Sequence, residues 1–221
     1  MSNGDLDKGE RKLIVWGASG HARVVTDIVR LQSKYTIVGY LDSINASRKG
    51  EAFLGKTILG GDEQLDHLLE RGVEYLIVGF GDCMSRIQAA DKALSKGYKL
   101  VTALHPNAVI ADDVQIGAGT VVAAGAVINP AAIIGMNVIV NTSSSIDHEC
   151  QIEDGAHISP GAHLSGSVRV ERAAWVGTGA SIIDRVRIGA GSVIGAGAVV
   201  VDDIPAGVVA YGNPAKVMKR L

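Results

Sequence analysis

The chain has 221 residues, 21 of them basic and 23 acidic, for a formal net charge of −2. It therefore lacks the basic field that binding a phosphate backbone requires, and nucleic acid is not expected as a partner. Two cysteines, Cys83 and Cys150, are too few for a disulfide framework and fit a reducing compartment, and the length suits two domains.

The opening MSNGDLDKGER is polar and mixed in charge, without the apolar stretch of a signal peptide, so a cytoplasmic location is expected. Short apolar runs then alternate with helical stretches, which predicts a parallel α/β unit. Leu13 to Trp16 reads as a strand, Gly17-Ala-Ser-Gly20 as a tight turn, and His21 to Leu31 as a helix with Val24, Val25, Ile28 and Leu31 at helical spacing. Thr36 to Leu41 reads as a second strand ending at Asp42. A polar loop leads to a short helix over Glu63 to Arg71, closed by Gly72. Tyr75 to Val78 is a third strand, Ser85 to Lys96 a helix capped by Gly97, and Leu100 to Ala103 a fourth strand. His105-Pro106 marks the boundary of this first domain, residues 1–106.

From Ile110 to Val200 every sixth residue is aliphatic, without insertion, and small or apolar residues such as Thr120, Ala126, Cys150 and Ala180 recur two positions earlier. A hexapeptide period means a parallel β-helix in which each repeat is one flat face, so residues 107–221 are expected to form a triangular prism with a carboxy-terminal cap. Three repeats complete one turn, and residues eighteen apart stack. The richest apolar window, Thr120 to Val140, keeps this period and contains Asn129, Pro130, Gly135 and Asn137, which argues against a membrane helix. The segment Ala206 to Leu221, with its basic end, is expected to cover the open last coil, whose backbone groups would otherwise be unpaired.

Inward positions are taken by the aliphatic and small sets, so charged residues must face outward. Asn141 to Cys150 is the most polar stretch of the prism, and it sets His148 between Asp147 and Glu149. A neighbouring carboxylate can orient an imidazole and stabilise its protonated form, which suits a general base; a solvated polar corner is the other reading. Gly166 stacks one coil beyond His148 and would let a reacting carbonyl approach a backbone N–H, although most glycines of the prism simply serve turns. His157 lies half a turn from His148, so the two rings can converge on one substrate only across a subunit interface. His163 occupies the same repeat position as His157 and is read as structural.

The turn Gly17-Ala-Ser-Gly20-His21 follows a strand and opens a helix, which puts free backbone N–H groups where a phosphate could bind, and Asp42 could take a ribose or base. There is no G-x-G-x-x-G, so NAD is not expected while nucleotide binding is retained.

GASGH at 17–21, NTSSSIDHEC at 141–150 and GNPAK at 212–216 together resemble the nucleotide-amino-sugar N-acetyltransferases of the left-handed β-helix superfamily, the group that includes the bacillosamine-pathway, perosamine and sialic acid acetyltransferases. The resemblance spans nearly the whole chain. It implies a Rossmann-like α/β domain followed by a left-handed β-helix, an exception to right-handed crossovers. It also implies a homotrimer with sites between neighbouring prisms, acetyl-CoA along the prism, no metal, and a nucleotide-linked amino sugar on the amino-terminal domain. On matching positions it gives His148 as base and Glu149 as its supporting carboxylate, beside which Gly166, from its stacking, is the candidate oxyanion donor. Ser19, Gly20, His21, Asp42 and Ser43 match the nucleotide-sugar contacts, and His157, Thr178 and Ala196 the acetyl-CoA contacts. Two positions depart from the pattern: Glu153-Asp154 stands where glycine is common, and Ser43 where some relatives carry a second aspartate.

The reaction expected is acetyl transfer to the amino group of a nucleotide-linked 4-amino-deoxysugar. Alternatives are O-acetylation of a sialic acid or other sugar hydroxyl, a zinc hydrolase built on three histidines, and a non-catalytic scaffold.

Overall fold

A computed structural model describes residues 11–221. The polar opening segment read above lies almost wholly outside them. The amino-terminal part is one sheet in the order β3-β4-β2-β1-β5-β6, with β1 Lys12–Trp16, β2 Thr36–Leu41, β3 Ala52–Phe53, β4 Lys56–Gly60, β5 Tyr75–Val78 and β6 Lys99–Leu100. All its pairings are parallel except the β3–β4 hairpin at one edge. The central strands β1 and β5 are almost wholly apolar because helices α1 Gly20–Gln32 and α3 Cys83–Ser95 flank them. α2 is Leu65–Glu70, preceded by a single 3₁₀ turn over Asp62–Gln64.

Three expectations are revised. The loop after Asp42 contains the β3–β4 hairpin, whose short strands bury only Phe53, Ile58 and Gly60 and so show no long apolar run. α3 begins two residues early because Asp82 caps it, its Oδ1 accepting from Ser85 N at 2.9 Å. The strand expected over Leu100 to Ala103 is two strands in two sheets: β6 ends the α/β sheet, while β7 Ala103–Leu104 pairs with Val121–Val122 and is already the first rung of the prism. A continuous apolar run concealed the change of sheet.

The prism is a left-handed β-helix of two-residue strands in three sheets. The first face stacks β7 on Val121–Val122, Ile139–Val140, His157–Ile158, Trp175–Val176 and Val193–Ile194. The second stacks Val109–Ile110 through Ser145–Ile146 and His163–Leu164 to Val199–Val200. The third runs from Gln115–Ile116 to Arg187–Ile188. The aliphatic sixth residues from Val122 onward are buried at 2 % exposure or less, alongside Ala126, Ala132, Cys150, Ala162 and Ala180.

A further six-residue set turns the corners. Residues 119, 125, 131, 137 and on to 197 all have positive φ, supplied by glycine at seven positions and by Ala131, Asn137, Ser143, Glu149, Ser167, Ala173 and Arg185 at the others. Glycine adopts this conformation without a Cβ penalty, whereas the others hold it at some cost. At the last coil, Val208–Gly212 continues the first face, and Ala215–Arg220 returns antiparallel over it, so the tail closes the edge as expected.

Candidate active site

His148 sits at the edge between the second and third faces. Its backbone N–H donates to Asp147 Oδ1 at 2.7 Å, and the same oxygen accepts from Asn129 Nδ2 at 2.8 Å. These bonds, Asn129 first, hold the Asp147 carboxyl below its ordinary range. Asp147 is thereby a corner brace for the backbone of His148. The ring itself reaches Glu149, Nδ1 to Oε2 at 3.2 Å, and Glu149 Oε2 also accepts from Ser167 Oγ at 3.3 Å. Both side chains stay more than half exposed, so the pair faces open space.

Gly166 lies directly beneath the imidazole: a Cβ there would stand 2.5 Å from His148 Cε1 and 2.6 Å from Nε2. Its φ is not in the left-handed region, so room for the ring, rather than a turn, requires the glycine. Neither the Gly166 N–H nor His148 Nε2 has a hydrogen-bond partner among the described residues. The expected departure at Glu153-Asp154 leaves the corner regular: Ala156 N donates to Glu153 O, Gly155 carries the positive φ, and Asp154 Oδ1 accepts from Met136 N.

Thr178 and Ala196 occupy a different edge, between the first and second faces, where Gly197 N donates to Thr178 O. Both are exposed and stack along the prism axis. The GNPAK turn continues this line, since Val193–Ile194 pairs with Val209–Ala210 and the next residues reach Asn213-Pro214.

His157 is on the first face and buried, half a turn from His148 and with no contact to it. Its ring stacks on Trp175 with centroids 5.0 Å apart and lies 6.5 Å from His21, which enters from the first turn of α1. Asn141 Nδ2 donates to His157 Nε2 at 3.3 Å, which leaves the ring proton on Nδ1; that atom and His21 Nε2 are buried without partners. Burial, reinforced by the Arg86 charge, pulls His21 down to about 4 and His157 to about 3. Both rings are neutral at pH 7.

Ser19, Asp42 and Ser43 line one cavity of about 420 Å³ at the carboxyl ends of β1 and β2, where open α/β sheets bind ligands, while Gly20 and His21 lie outside its lining. Ser19 is the residue before α1, and Gly20 has open space where a Cβ would be, so a ligand can approach the helix N-terminus. Asp42 lines the cavity, but its oxygens are engaged: Oδ1 accepts from Ile44 N and Asn45 N, and Oδ2 from Arg48 Nη1 at 2.9 Å. Ser43 Oγ accepts from Trp16 Nε1 and Asp62 N. Asp42 and Ser43 thus shape the cavity by tying its loops. Arg48, Phe80, Gln88 and Lys92 also stand in its wall; they fall in loops or on a helix face with no motif to mark them, and of this wall only the Asp82-x-x-Ser85 spacing carries a signal, that of a helix cap, which the sequence reading did not use.

A hexapeptide prism with an exposed His–Glu corner, joined to an α/β domain with a nucleotide-sized cavity, defines an acyltransferase of the hexapeptide class. The PglD N-terminal domain family matches residues 12–93, and the bacterial transferase hexapeptide family matches residues 102–130. The perosamine N-acetyltransferase PerB from Caulobacter crescentus, solved with CoA and GDP-perosamine, superimposes with a TM-score of 0.89 at 38 % identity over 98 % of this chain and 100 % of that one. A variant of that enzyme with a histidine replaced by asparagine, in complex with the same two molecules, gives 0.90 at 36 % over the same shares. The acetyltransferase domain of PglB from Neisseria gonorrhoeae, in complex with acetyl coenzyme A, gives 0.88 at 37 % over 95 % of this chain and 100 % of that one. No curated protein matches the chain. The chain belongs to the nucleotide-amino-sugar N-acetyltransferases of the hexapeptide-repeat acyltransferase superfamily, and it is an acetyl-CoA-dependent enzyme of that group.

Among the described residues, no helix is long and apolar enough to cross a membrane. No group of three or more His, Cys, Asp or Glu among them could hold a metal ion, and His157 and His163 lie on different faces of the prism.

Proposed function

We propose that the chain transfers acetyl from acetyl-CoA to the amino group of a nucleotide-linked 4-amino-deoxysugar by direct attack, with His148 as general base. The observation that carries this reading is the His148 corner, where an imidazole tied to Glu149 leaves Nε2 and the Gly166 N–H free at one open edge. A proton on Nδ1 donated to Glu149 leaves the Nε2 lone pair as the acceptor. The sugar amine attacks the thioester carbonyl carbon and gives its proton to Nε2, while the carbonyl oxygen becomes an oxyanion facing a backbone donor such as Gly166 N–H. Collapse forms the amide and expels CoA as a thiolate, which takes up the proton held by His148. The nearest thiol, Cys150, is buried and pushed up to about 11, which disfavours a covalent acyl-enzyme.

The relatives crystallised with CoA and GDP-perosamine, and with acetyl-CoA, support the pair of substrates. The nucleotide sugar is assigned to the cavity beside Ser19, Gly20 and Asp42, and the cofactor to the edge of Thr178 and Ala196, with His157 beside it. In one prism the His148 edge and the Thr178 edge flank the same second face. The outward residues that open its strands, Val109, Val127, Ser145, His163, Ser181 and Val199, carry no carboxylate, lysine or arginine. Three copies packed around a threefold axis through that face would set the His148 edge of one against the Thr178 edge of the next. The assembly is therefore read as a homotrimer with shared sites, working in the cytoplasm, where its two free cysteines stay reduced.

The test is incubation with acetyl-CoA and a panel of GDP-, UDP- and dTDP-linked 4-amino sugars and their hydroxy counterparts, following thiol release and product mass. Acetylation of an amino sugar is expected. Acetylation of hydroxyl acceptors alone would favour O-acetyl transfer, and no thiol release with any acceptor would overturn the reading.

A further inference from the structure

We infer that Arg86 is a positioning residue that fixes the nucleotide cavity against the prism, so that a bound sugar meets the cofactor in register. The inference rests on the acetyl-transfer reading above. Arg86 lies on α3, is 1 % exposed, and has no carboxylate within ion-pair distance among the described residues. Instead its guanidinium meets main-chain carbonyls from both parts of the protein. Nη1 donates to Gly81 O at 2.6 Å and more weakly to Phe80 O at 3.5 Å, in the loop whose Phe80 and Asp82 line the cavity. Nη2 donates to Gly155 O at 2.7 Å and Ala156 O at 3.2 Å, and Nε to Asn137 O at 2.9 Å, on two successive coils of the prism. Ala156 immediately precedes His157.

The opposite face of α3 carries Ser85, Gln88 and Lys92 into the cavity wall, so the helix that holds the clamp also shapes the ligand site. Packing fixes the same joint: Ile87 lies so close over Gly155 that any Cβ there would stand 2.2 Å from Ile87 Cδ1. The carbonyls of Asn137 and Gly155 accept no other hydrogen bond among the described residues, so without Arg86 they are buried and unpaired. A planar fork can serve several acceptors in fixed directions, which a lysine ammonium at the end of a flexible stem cannot.

Acetyl transfer requires the amine and the thioester carbon at about 3–3.5 Å, and a misplacement of about 1 Å costs on the order of a hundredfold in rate. Because the clamp joins the element that holds one substrate to the element that presents the other, its loss should act on turnover more than on either binding step.

The experiment compares wild type, Arg86→Gln and Arg86→Lys for kcat, for the KM of acetyl-CoA and of the amino sugar that wild type acetylates, and for amide hydrogen exchange over residues 80–85 and at His157. Both variants should lose roughly 10- to 100-fold in kcat with KM changes under about threefold, and exchange should quicken at both places. Arg86→Ala should regain turnover with millimolar methylguanidinium and not with methylammonium. A variant of lowered melting temperature whose kcat stays within about twofold of wild type would show a purely structural residue and overturn the inference. If the glutamine and alanine variants fail to fold, Arg86→Lys decides alone, and wild-type turnover or unchanged exchange in it contradicts the clamp. Wild type that acetylates no amino sugar would sink the proposed function, while the exchange measurement would still judge the clamp.

Discussion

His148 owes its position to three neighbours with separate tasks: Asp147 braces its backbone, Glu149 takes its Nδ1, and Gly166 leaves space for its ring. Replacing His148 with asparagine should lower turnover by about two to four orders of magnitude while acetyl-CoA binding changes little, measured by steady-state kinetics and calorimetry. More than a tenth of wild-type turnover would remove it from the base role. Gly166→Ala is a finer probe. The methyl would push the imidazole aside without touching the coil's core, so kcat should fall about 10- to 100-fold with the melting temperature nearly unchanged, and a normal kcat would show that the ring's seat is immaterial. Much of this corner was legible, because outward positions of a strict repeat are known from the period alone. What the period could not give was the environment of His157 and Asp42. His157 is buried by a domain that precedes it by many residues in the chain, and the Asp42 carboxylate is consumed by its own loop and Arg48.

At the scale of elements, the prism was readable from Ile110 onward because each coil's inward residue falls on one period. The positive-φ corner set escaped notice because non-glycine residues, from Ala131 and Asn137 to Glu149 and Arg185, fill half of its positions. The α/β hand-over at β6 and β7 was not readable, since both strands belong to one apolar run and differ only in their partners. Two predictions belong here. Asp42→Ala should loosen the loop through Arg48 and raise the KM for the nucleotide sugar while leaving that for acetyl-CoA nearly constant, and equal weakening of both would mean that the two ligands are not divided between the parts. The second concerns pH. His21 and His157 are neutral in the folded protein, held at about 4 and 3 against 6.5 in an unfolded chain. Below about pH 6.5 the unfolded chain takes up protons that the folded one cannot, so stability is full above 6.5 and declines as pH falls towards 4. Each ring contributes up to about 1.4 kcal/mol per pH unit. Urea unfolding at pH 7.5 and 5 should show the loss, and His157→Gln should flatten the slope by roughly half; a flat profile in the unaltered chain would show that water reaches the rings.

In the whole molecule, Arg86, Ile87 and Trp175 join the α/β part to the first face and to the edge it shares with the third, and leave the second face, flanked by the His148 and Thr178 edges, uncovered. A single copy thus keeps the His148 edge and the Thr178 edge apart, and under the proposed function only apposition with another copy would complete the site. Sequence spacing anticipated this separation from the half turn between His148 and His157, although it could not say which face remains free. The most direct measurement of the proposed homotrimer mixes two inactive variants, His148→Ala and Thr178→Trp, after dissociation and reassembly, the second variant first being shown to have lost CoA binding without unfolding. In a mixed trimer one interface joins an intact His148 to an intact Thr178, so acetyl transfer to the amino sugar should return in proportion to such interfaces. A site contained within one chain predicts that verified mixed trimers stay inactive, and that result, or a fully active monomer, would contradict the shared site.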